Sequence, residues 1–496
     1  MGRGMGAAEG QQLPMIQARL LRLHRTLLRT PPALLIAGLG CAALAASSNL
    51  ANSFDAPRAG GPLVVLALFL ALALAVALFL AATLIRLPRV SLPARYRRAA
   101  RWLIYPLLLW AALTAVTTTI GVLASGFATS LTTQHVRYGS DDLYYNHYNA
   151  ILVLRGQNPY TGEHLAAEVR YFGDRAYTPL ARGRFADVRH YPTRAEMDAV
   201  VDEYLAHPDA PPLELDPRTT HSYPALAFLV NLPAVALGLP SVALPQILLF
   251  VALCAAIAWA APAPYRPLVA LLLLATADGA RQVAGADFEI WPLALVALAW
   301  LARERRWTSA LLLGLACATK QTAWLAAPFY LIWIWRTYGL SEASRRVAIA
   351  LGAFFAVNLP WIVVSPGAWL ASIFLPVSLP LLPDGSGLIA LSLGGLLPLF
   401  PSWLYGLLEV AALVAALALY WRRLPRMPFA GLVLPVVPLL LAWRSSERYF
   451  VLLPLLGLLA AVLTLAYATK IAPPSAPERR RKDAPAGIAG TPAGAD

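Results

Sequence analysis

Two adjacent carboxylates, Asp141 and Asp142, lie near the start of the run YGSDDLYYNHYNAILVLRGQNPY at Tyr138–Tyr160. They follow a hydrophobic stretch and begin a long polar loop, at a boundary between apolar segment and water. A carboxylate held there can take the proton of an attacking hydroxyl. Either acid can instead cap the helix expected over Leu143–Leu154, but a cap needs only one of them. Lys320 is the second candidate. The chain has three lysines, and Lys470 and Lys482 lie in or near the C-terminal tail. Lys320 stands alone in GLACATKQTAW, where it can hold a phosphate as a point charge or snorkel from a helix end. Arg281, Arg444 and Arg448 carry planar forks suited to the same anion. Asp278, Asp287 and Glu289 fall within a dozen residues and suggest a polar cavity. His147, His221 and Tyr223 flank the two ends of the loop and can bind hydroxyl groups, and Gln321 sits beside Lys320. No His and carboxylate spacing matches a metal site, and there is no P-loop or Gly-rich nucleotide cradle.

These residues must be positioned by membrane helices. The 496 residues are 59% hydrophobic and 13% charged, with a mean hydropathy of +0.61, where a soluble domain is about 25% charged. The apolar residues fall in many runs of roughly 15–25, the length that crosses a bilayer. No cleavable signal peptide is expected, because the first thirty residues lack an apolar core followed by a small-residue site. The three cysteines, Cys41, Cys254 and Cys317, all lie in apolar segments, so neither a disulfide framework nor a thiolate metal site is expected. The net charge of +14 is not a nucleic-acid signal. Its arginines cluster between apolar runs: Arg19–Arg29, Arg86–Arg101, Arg303–Arg306, Arg336–Arg346, Arg422–Arg426 and Arg479–Lys482. That is the positive-inside pattern, which places these segments in the cytoplasm. Residues 126–221 instead hold nine Arg and no Lys against thirteen acids, so this loop is expected to face outward.

Apolar runs lie near Pro31–Leu50, Pro62–Ile85, Trp102–Ser125, Tyr223–Leu239, Val242–Ala261, Pro267–Asp278, Phe288–Leu301, Thr308–Thr319, Thr322–Trp335, Val347–Val364, Trp403–Trp421, Pro428–Trp443 and Tyr449–Ala468. Basic ends on both sides require an even number of crossings, so about twelve are expected, with Tyr223–Leu239 re-entrant or on the surface. The expected fold is an all-α polytopic bundle. A basic cytoplasmic N-terminus (1–30) precedes two N-terminal helices and a basic loop (31–101). A membrane domain (102–470) contains the outward loop 126–221, and a disordered cytoplasmic tail (471–496) follows. Within the loop, Leu143–Leu154 and Arg194–Ala206 are expected as helices lying on the membrane surface, the latter capped by Thr193 with Glu196 three residues on. The chain is expected to be a multi-pass protein of the cell membrane with both termini cytoplasmic.

The order of these motifs resembles the GT-C superfamily of membrane glycosyltransferases, most closely the branch of polyprenol-phosphate-mannose-dependent mannosyltransferases. That branch places an Asp at the start of its first large outward loop, matched by Asp142. An aromatic helical run then ends in a stop matched by Leu154-Arg155-Gly156-Gln157-Asn158-Pro159-Tyr160. A re-entry matches Tyr223-Pro224-Ala225-Leu226, a span start loosely matches Gly285-Ala286-Asp287-Phe288, and a Gly-Leu-Ala-x-x-x-Lys segment matches Gly314–Lys320. The likeness runs from Trp102 to the last span. It implies a GT-C type bundle that transfers a hexose, mannose in this branch, from a polyprenyl-phosphate sugar to a lipid, glycan or protein acceptor. Asp142, or its neighbour Asp141, would be the base. Lys320, Arg448 and Arg281 would hold the donor phosphate, and His147, Tyr223, Asp287, Glu289 and Gln321 would contact substrate. No cofactor and no nucleic acid are expected. Three departures stand out: Ala286 replaces the span-start Gln, Ala225 replaces the second Pro of the re-entry, and residues 161–220 form a longer loop with its own helix. The competing reading is a transporter or flippase of a lipid-linked glycan, which would carry polar residues across the mid-membrane. Here they gather toward one face.

Overall fold

The computed structural model describes residues 24, 26–53, 60–85, 99, 102–132, 137–174, 177–217 and 222–471. Most of the basic N-terminus, the Arg86–Arg101 cluster apart from residue 99, His221 and the tail from residue 472 lie outside them. In hydrocarbon a backbone N–H or C=O must bond within its own segment, so apolar runs become helices. Among the described residues seven helices are long and apolar enough to cross a membrane: Pro32–Asn52, Gly61–Ala82, Ile104–Thr132, Ala243–Ala260, Leu340–Val364, Ser402–Arg423 and Arg448–Lys470. The pair Ala263–Leu274 and Ala277–Gly285, bent by 63°, adds an eighth if it forms one span. The chain is an all-α membrane protein. A count of twelve would need shorter helices as well. Ile290–Leu301 and Arg306–Cys317 have 12 residues each, roughly 18 Å of helix against a hydrocarbon core of about 30 Å.

The elements that matter for the site are α1 (Pro32–Ser53), α2 (Gly61–Ala82), α3 (Asp141–Leu154), α4 (Leu165–Phe172), α5 (Arg194–Ala206), α6 (Ile290–Leu301), α7 (Arg306–Cys317), α8 (Thr322–Tyr338), α9 (Leu340–Val364), α10 (Pro366–Ser378), α11 (Ser402–Arg423) and α12 (Leu453–Ile471). Two residue pairs, β1 (Asp384–Gly385) and β2 (Arg444–Ser445), form a short parallel ladder.

Helices in lipid gain little from hiding apolar surface from one another, so close packing of small residues holds them. Gly314 shows this: a Cβ added there would run into the backbone of Ala350, so α7 and α9 touch at the glycine of the Gly-Leu-Ala segment. A Cβ on Gly457 would likewise run into the Phe79 ring, which lets α2 nest against α12. Leu34, Leu72 and Phe79 of the two N-terminal helices share one continuous core with Leu455, Leu458 and Leu459 of α12.

The bundle has two chemically distinct ends. At one end Arg346 donates to the Arg303 carbonyl at 2.6 Å, Arg306 pairs with Glu342 at 2.6 Å, and Lys470 pairs with Glu304 at 3.6 Å. The Ile85 amide donates to the Arg426 carbonyl at 3.0 Å. Helix α6 starts beside Glu289 at the other end and finishes next to Arg303 here. The acids and aromatics singled out in the sequence lie at that other end.

The polar loop folds into two parts. Helix α3 does not lie on the surface as its sequence suggests: every residue from Asp142 to Leu152 is buried. Phe172, Ala227, Ala234, Val242 and Phe288 pack about its tyrosines. The reason is that the segment after Tyr223, two short helices at Leu226–Leu229 and Leu232–Ala236, covers the face that water would otherwise meet. Helices α4 and α5 build a separate small core from Leu165, Val169, Phe185, Val200, Val201 and Tyr204. Helix α5 opens with the expected capping box, in which Thr193 and Glu196 each bond the other's backbone amide.

Candidate functional site

Asp142 reaches its place through the cap of α3. Ser140, not an aspartate, is the cap: its hydroxyl accepts from the Asp142 amide at 3.2 Å and donates to the Asp142 carboxylate. Both acids are therefore freed from capping and sit in the first turn, where the helix dipole favours negative charge. They then diverge. Asp141 accepts from Thr178 of the small loop unit and from the Tyr145 hydroxyl at 3.3 Å. Asp142 turns inward, 3% exposed, and meets Lys320.

Lys320 lies in the break between α7 and α8. Its ammonium is 3.2 Å from Asp142, 2.7 Å from Glu289 and 4.0 Å from Asp287. The Tyr223 ring lies beside it, its centre 4.7 Å away, a cation–π contact. Glu289 also accepts from Thr322 at 3.2 Å. Asp287 is delivered by the bent pair: Gly285, at φ +132°, breaks the helix in a conformation open to glycine. The Gly285 carbonyl accepts from the Gly139 amide at 2.9 Å, tying this break to the start of α3. Arg448 completes the group, with Nε 3.6 Å from Asp287 and Nη2 donating to the Gly139 carbonyl at 3.4 Å.

Three acids and two cations cannot all be charged without imbalance in so dry a place. Burial pushes the Asp287 carboxyl well above the usual carboxylate range, and the neighbouring Asp142 charge adds to the effect. Burial also opposes charge on Asp142, but Lys320, a hydrogen bond with Asp287 and Arg448 outweigh it and hold that carboxyl below its ordinary value. Burial opposes the Lys320 charge as well, and Glu289, Tyr223, Asp142 and Asp287 overcome it, raising its pKa. Of the two, Asp287 is pushed toward the protonated form and Asp142 toward the ionised form. The point where the carboxylates converge is occupied by the Lys320 ammonium. Among the described residues no group of three or more His, Cys, Asp or Glu side chains is arranged to hold a metal ion.

The cluster lies in the wall of a cavity of about 1160 Å³. One wall carries Asp141, Asp142, Tyr223, Asp287, Glu289 and Lys320. The wall of α10 and α11 is apolar, with Leu375, Val377, Trp403 and Gly406 facing inward. Trp403 and Val377 are large apolar side chains that remain 68% and 81% exposed. Glu409, a half-buried acid on α11, lines the same wall. Arg444, Trp443 and Tyr449 close the far side. The β1–β2 ladder sets this side: Asp384 pairs with Arg444 and Gly385 with Ser445. A Cβ on Gly385, at φ +120°, would strike the Ser445 backbone.

Three sequence candidates lie elsewhere. Arg281 pairs with Asp278 and does not line the cavity. Gln321 also does not line it; its amide donates to the carbonyls of Ser222 at 2.6 Å and Ile373 at 3.0 Å, fastening the Tyr223 segment to α10. His147 stands behind the wall, 3% exposed. Its Nδ1 lies 2.9 Å from the Tyr138 hydroxyl, which itself accepts from the Val242 amide at 2.9 Å. Burial lowers the imidazole pKa to about 4. The stop motif finds a structural purpose. The Asn158 side chain accepts from the Tyr160 amide at 3.0 Å, and the Tyr160 hydroxyl donates to the Tyr223 carbonyl at 2.8 Å. The aromatic residues Tyr177, Tyr191, Trp403 and Trp443 were missed in the sequence, where nothing sets them apart from interface aromatics.

No family model matches this chain, and no curated protein and no solved structure matches it either.

Proposed function

We propose that this protein is an integral membrane glycosyltransferase that moves a hexose from a polyprenyl-phosphate sugar to an acceptor hydroxyl at the outer face of the cell membrane. The observation that carries the reading is the buried Asp142 carboxyl, 3.2 Å from the Lys320 ammonium, in the wall of a cavity that Leu375, Val377, Trp403 and Gly406 also line. An ionised carboxylate suits proton abstraction, and the apolar wall suits a polyprenyl chain entering from lipid. Asp142 takes the acceptor hydroxyl proton as the oxygen attacks C1 of the sugar. The C1–O bond to phosphate breaks, its electron pair leaves with the polyprenyl phosphate, and the configuration at C1 inverts. Lys320 donates to Asp142 at 3.2 Å and lies 2.7 Å from Glu289, so its part is to hold the base ionised and aimed. Arg448, whose side chain is 38% exposed, and Arg444 on the cavity wall are the cations available to the leaving phosphate. Arg281 has no place in this scheme. Mannose is the first sugar to test, on the motif resemblance.

The test is transfer by the purified protein in lipid, with labelled polyprenyl-phosphate mannose and a mixed membrane-lipid extract as acceptor. Wild type is compared with Asp142→Asn and Asp141→Asn. Loss of at least about 100-fold in the Asp142 variant alone is the expected result for a missing general base. Transfer that survives Asp142→Asn removes Asp142 from the role.

A further inference from the structure

The small loop unit takes no part in the chemistry above, yet it roofs the cavity. Tyr177, Val188, Tyr191, Arg194 and Met197 line the space from this unit. Val188, Tyr191 and Met197 are half-buried on the unit's own core and keep a face toward the cavity. Tyr177 is 6% exposed, and its buried hydroxyl has no hydrogen-bond partner among the described residues. The roof is fixed in place. Arg194 pairs with Asp174 at 2.5 Å and Asp198 at 3.1 Å, and Asp174 accepts from Tyr144 of α3. Thr178 donates to Asp141, and the Ala181 amide donates to the Pro380 carbonyl at 2.8 Å. The roof is therefore bolted both to the helix that carries Asp142 and to the chain that follows the apolar wall.

We propose that this roof is the acceptor subsite and that it binds a saccharide, an inference that rests on the glycosyltransferase reading above. The Tyr191 ring and the Met197 thioether present weakly polar faces that match the C–H faces of a pyranose ring, and the Arg194 guanidinium beside them matches its hydroxyls. The other acceptor classes fit less well. An acyl chain belongs on the apolar wall, not on a roof that carries Arg194. An extended peptide would add to a free strand edge, and the edge at Leu180 is already bridged to Leu381. Because the roof is tied to α3, a ring stacked beneath it brings its hydroxyls toward Asp142. The roof thus selects the acceptor, and the apolar wall with Arg444 and Arg448 selects the donor.

The experiment measures two bindings on the full-length protein in lipid nanodiscs. One ligand set is fluorescent disaccharides of manno, gluco and galacto configuration; the other is labelled polyprenyl-phosphate mannose. The variants are Tyr191→Ala, Met197→Ala and their double, with Tyr191→Phe and Met197→Leu as controls that keep the flat faces. The expected result is that wild type retains at least one disaccharide, the double variant weakens it at least tenfold, and the controls stay within threefold. Donor binding stays within twofold throughout. If wild type retains no disaccharide, or the double variant binds as wild type does, the roof is not a saccharide subsite. Failure of donor binding by wild type is a separate result and overturns the glycosyltransferase reading instead.

Discussion

Replacing Lys320 by Met deletes one charge and keeps an unbranched chain of similar length. Lys320, Asp142, Asp287 and Glu289 are all less than a tenth exposed, so water does little to screen them. At an effective dielectric of about 20, the 2.7 Å contact with Glu289 and the 3.2 Å contact with Asp142 are worth roughly 6 and 5 kcal/mol of attraction. Desolvation of the ammonium cancels several kcal/mol of this, and deleting one partner of a buried pair costs about 3–5 kcal/mol. Lys320→Met removes the cation that three carboxyl groups share and leaves Asp142 without its nearest positive charge. The relief is a proton on Asp142, which then cannot act as a base. We expect a lower melting temperature and transfer reduced at least about 100-fold near neutral pH, partly regained as the pH is raised. Adding Glu289→Gln restores the balance, so the double variant should melt higher than Lys320→Met and recover part of the transfer. Melting in detergent and initial transfer rates between pH 6 and 9 provide the assay. A Lys320→Met protein that melts and transfers like wild type would refute the reasoning, and so would a double variant no more stable than the single one.

Gly406 lines the apolar wall, and a Cβ added there meets open space. Gly406→Trp should therefore fold normally and raise the KM for the polyprenyl donor at least several-fold with little change in kcat, read in steady-state kinetics. Gly385→Ala forces a side chain into the Ser445 backbone at a φ that favours glycine. We expect a loss of more than about 1–3 kcal/mol and displaced Arg444 and Arg448, visible as a lower melting temperature together with weaker donor binding. His147 has a folded pKa of about 4, below its ordinary 6.5. The unfolded chain thus binds more protons between these values, and stability falls as pH drops from 6.5 toward 4, by at most about 3 kcal/mol. Melting curves across that window should show a smaller fall for His147→Gln, which keeps an acceptor for Tyr138.

Much of the architecture was legible in the residues. A chain whose apolar residues come in long runs has one way to satisfy its backbone in lipid, so the helices follow from hydropathy. The Thr193–Glu196 cap was legible because it is local, its partners three residues apart. The same holds for Asp142, Lys320, Asp287 and Glu289 as unusual charges at the ends of apolar runs, since a charge is costly there unless something uses it. Their partners were not legible. Asp142 and Lys320 are 178 residues apart, and periodicity gives the face of a helix but not the helix it meets. Tertiary packing took His147 and Gln321 off the cavity wall, whereas the Ser140 cap and the Arg281–Asp278 pair are local contacts within the reach of a sequence reading. It buried α3 on every side because a segment more than sixty residues later folds over it. It also decided that Lys320 serves the carboxylates while Arg444 and Arg448 face the cavity. That distinction depends on distances of a few ångströms among groups from five separate stretches of chain, which no local pattern encodes.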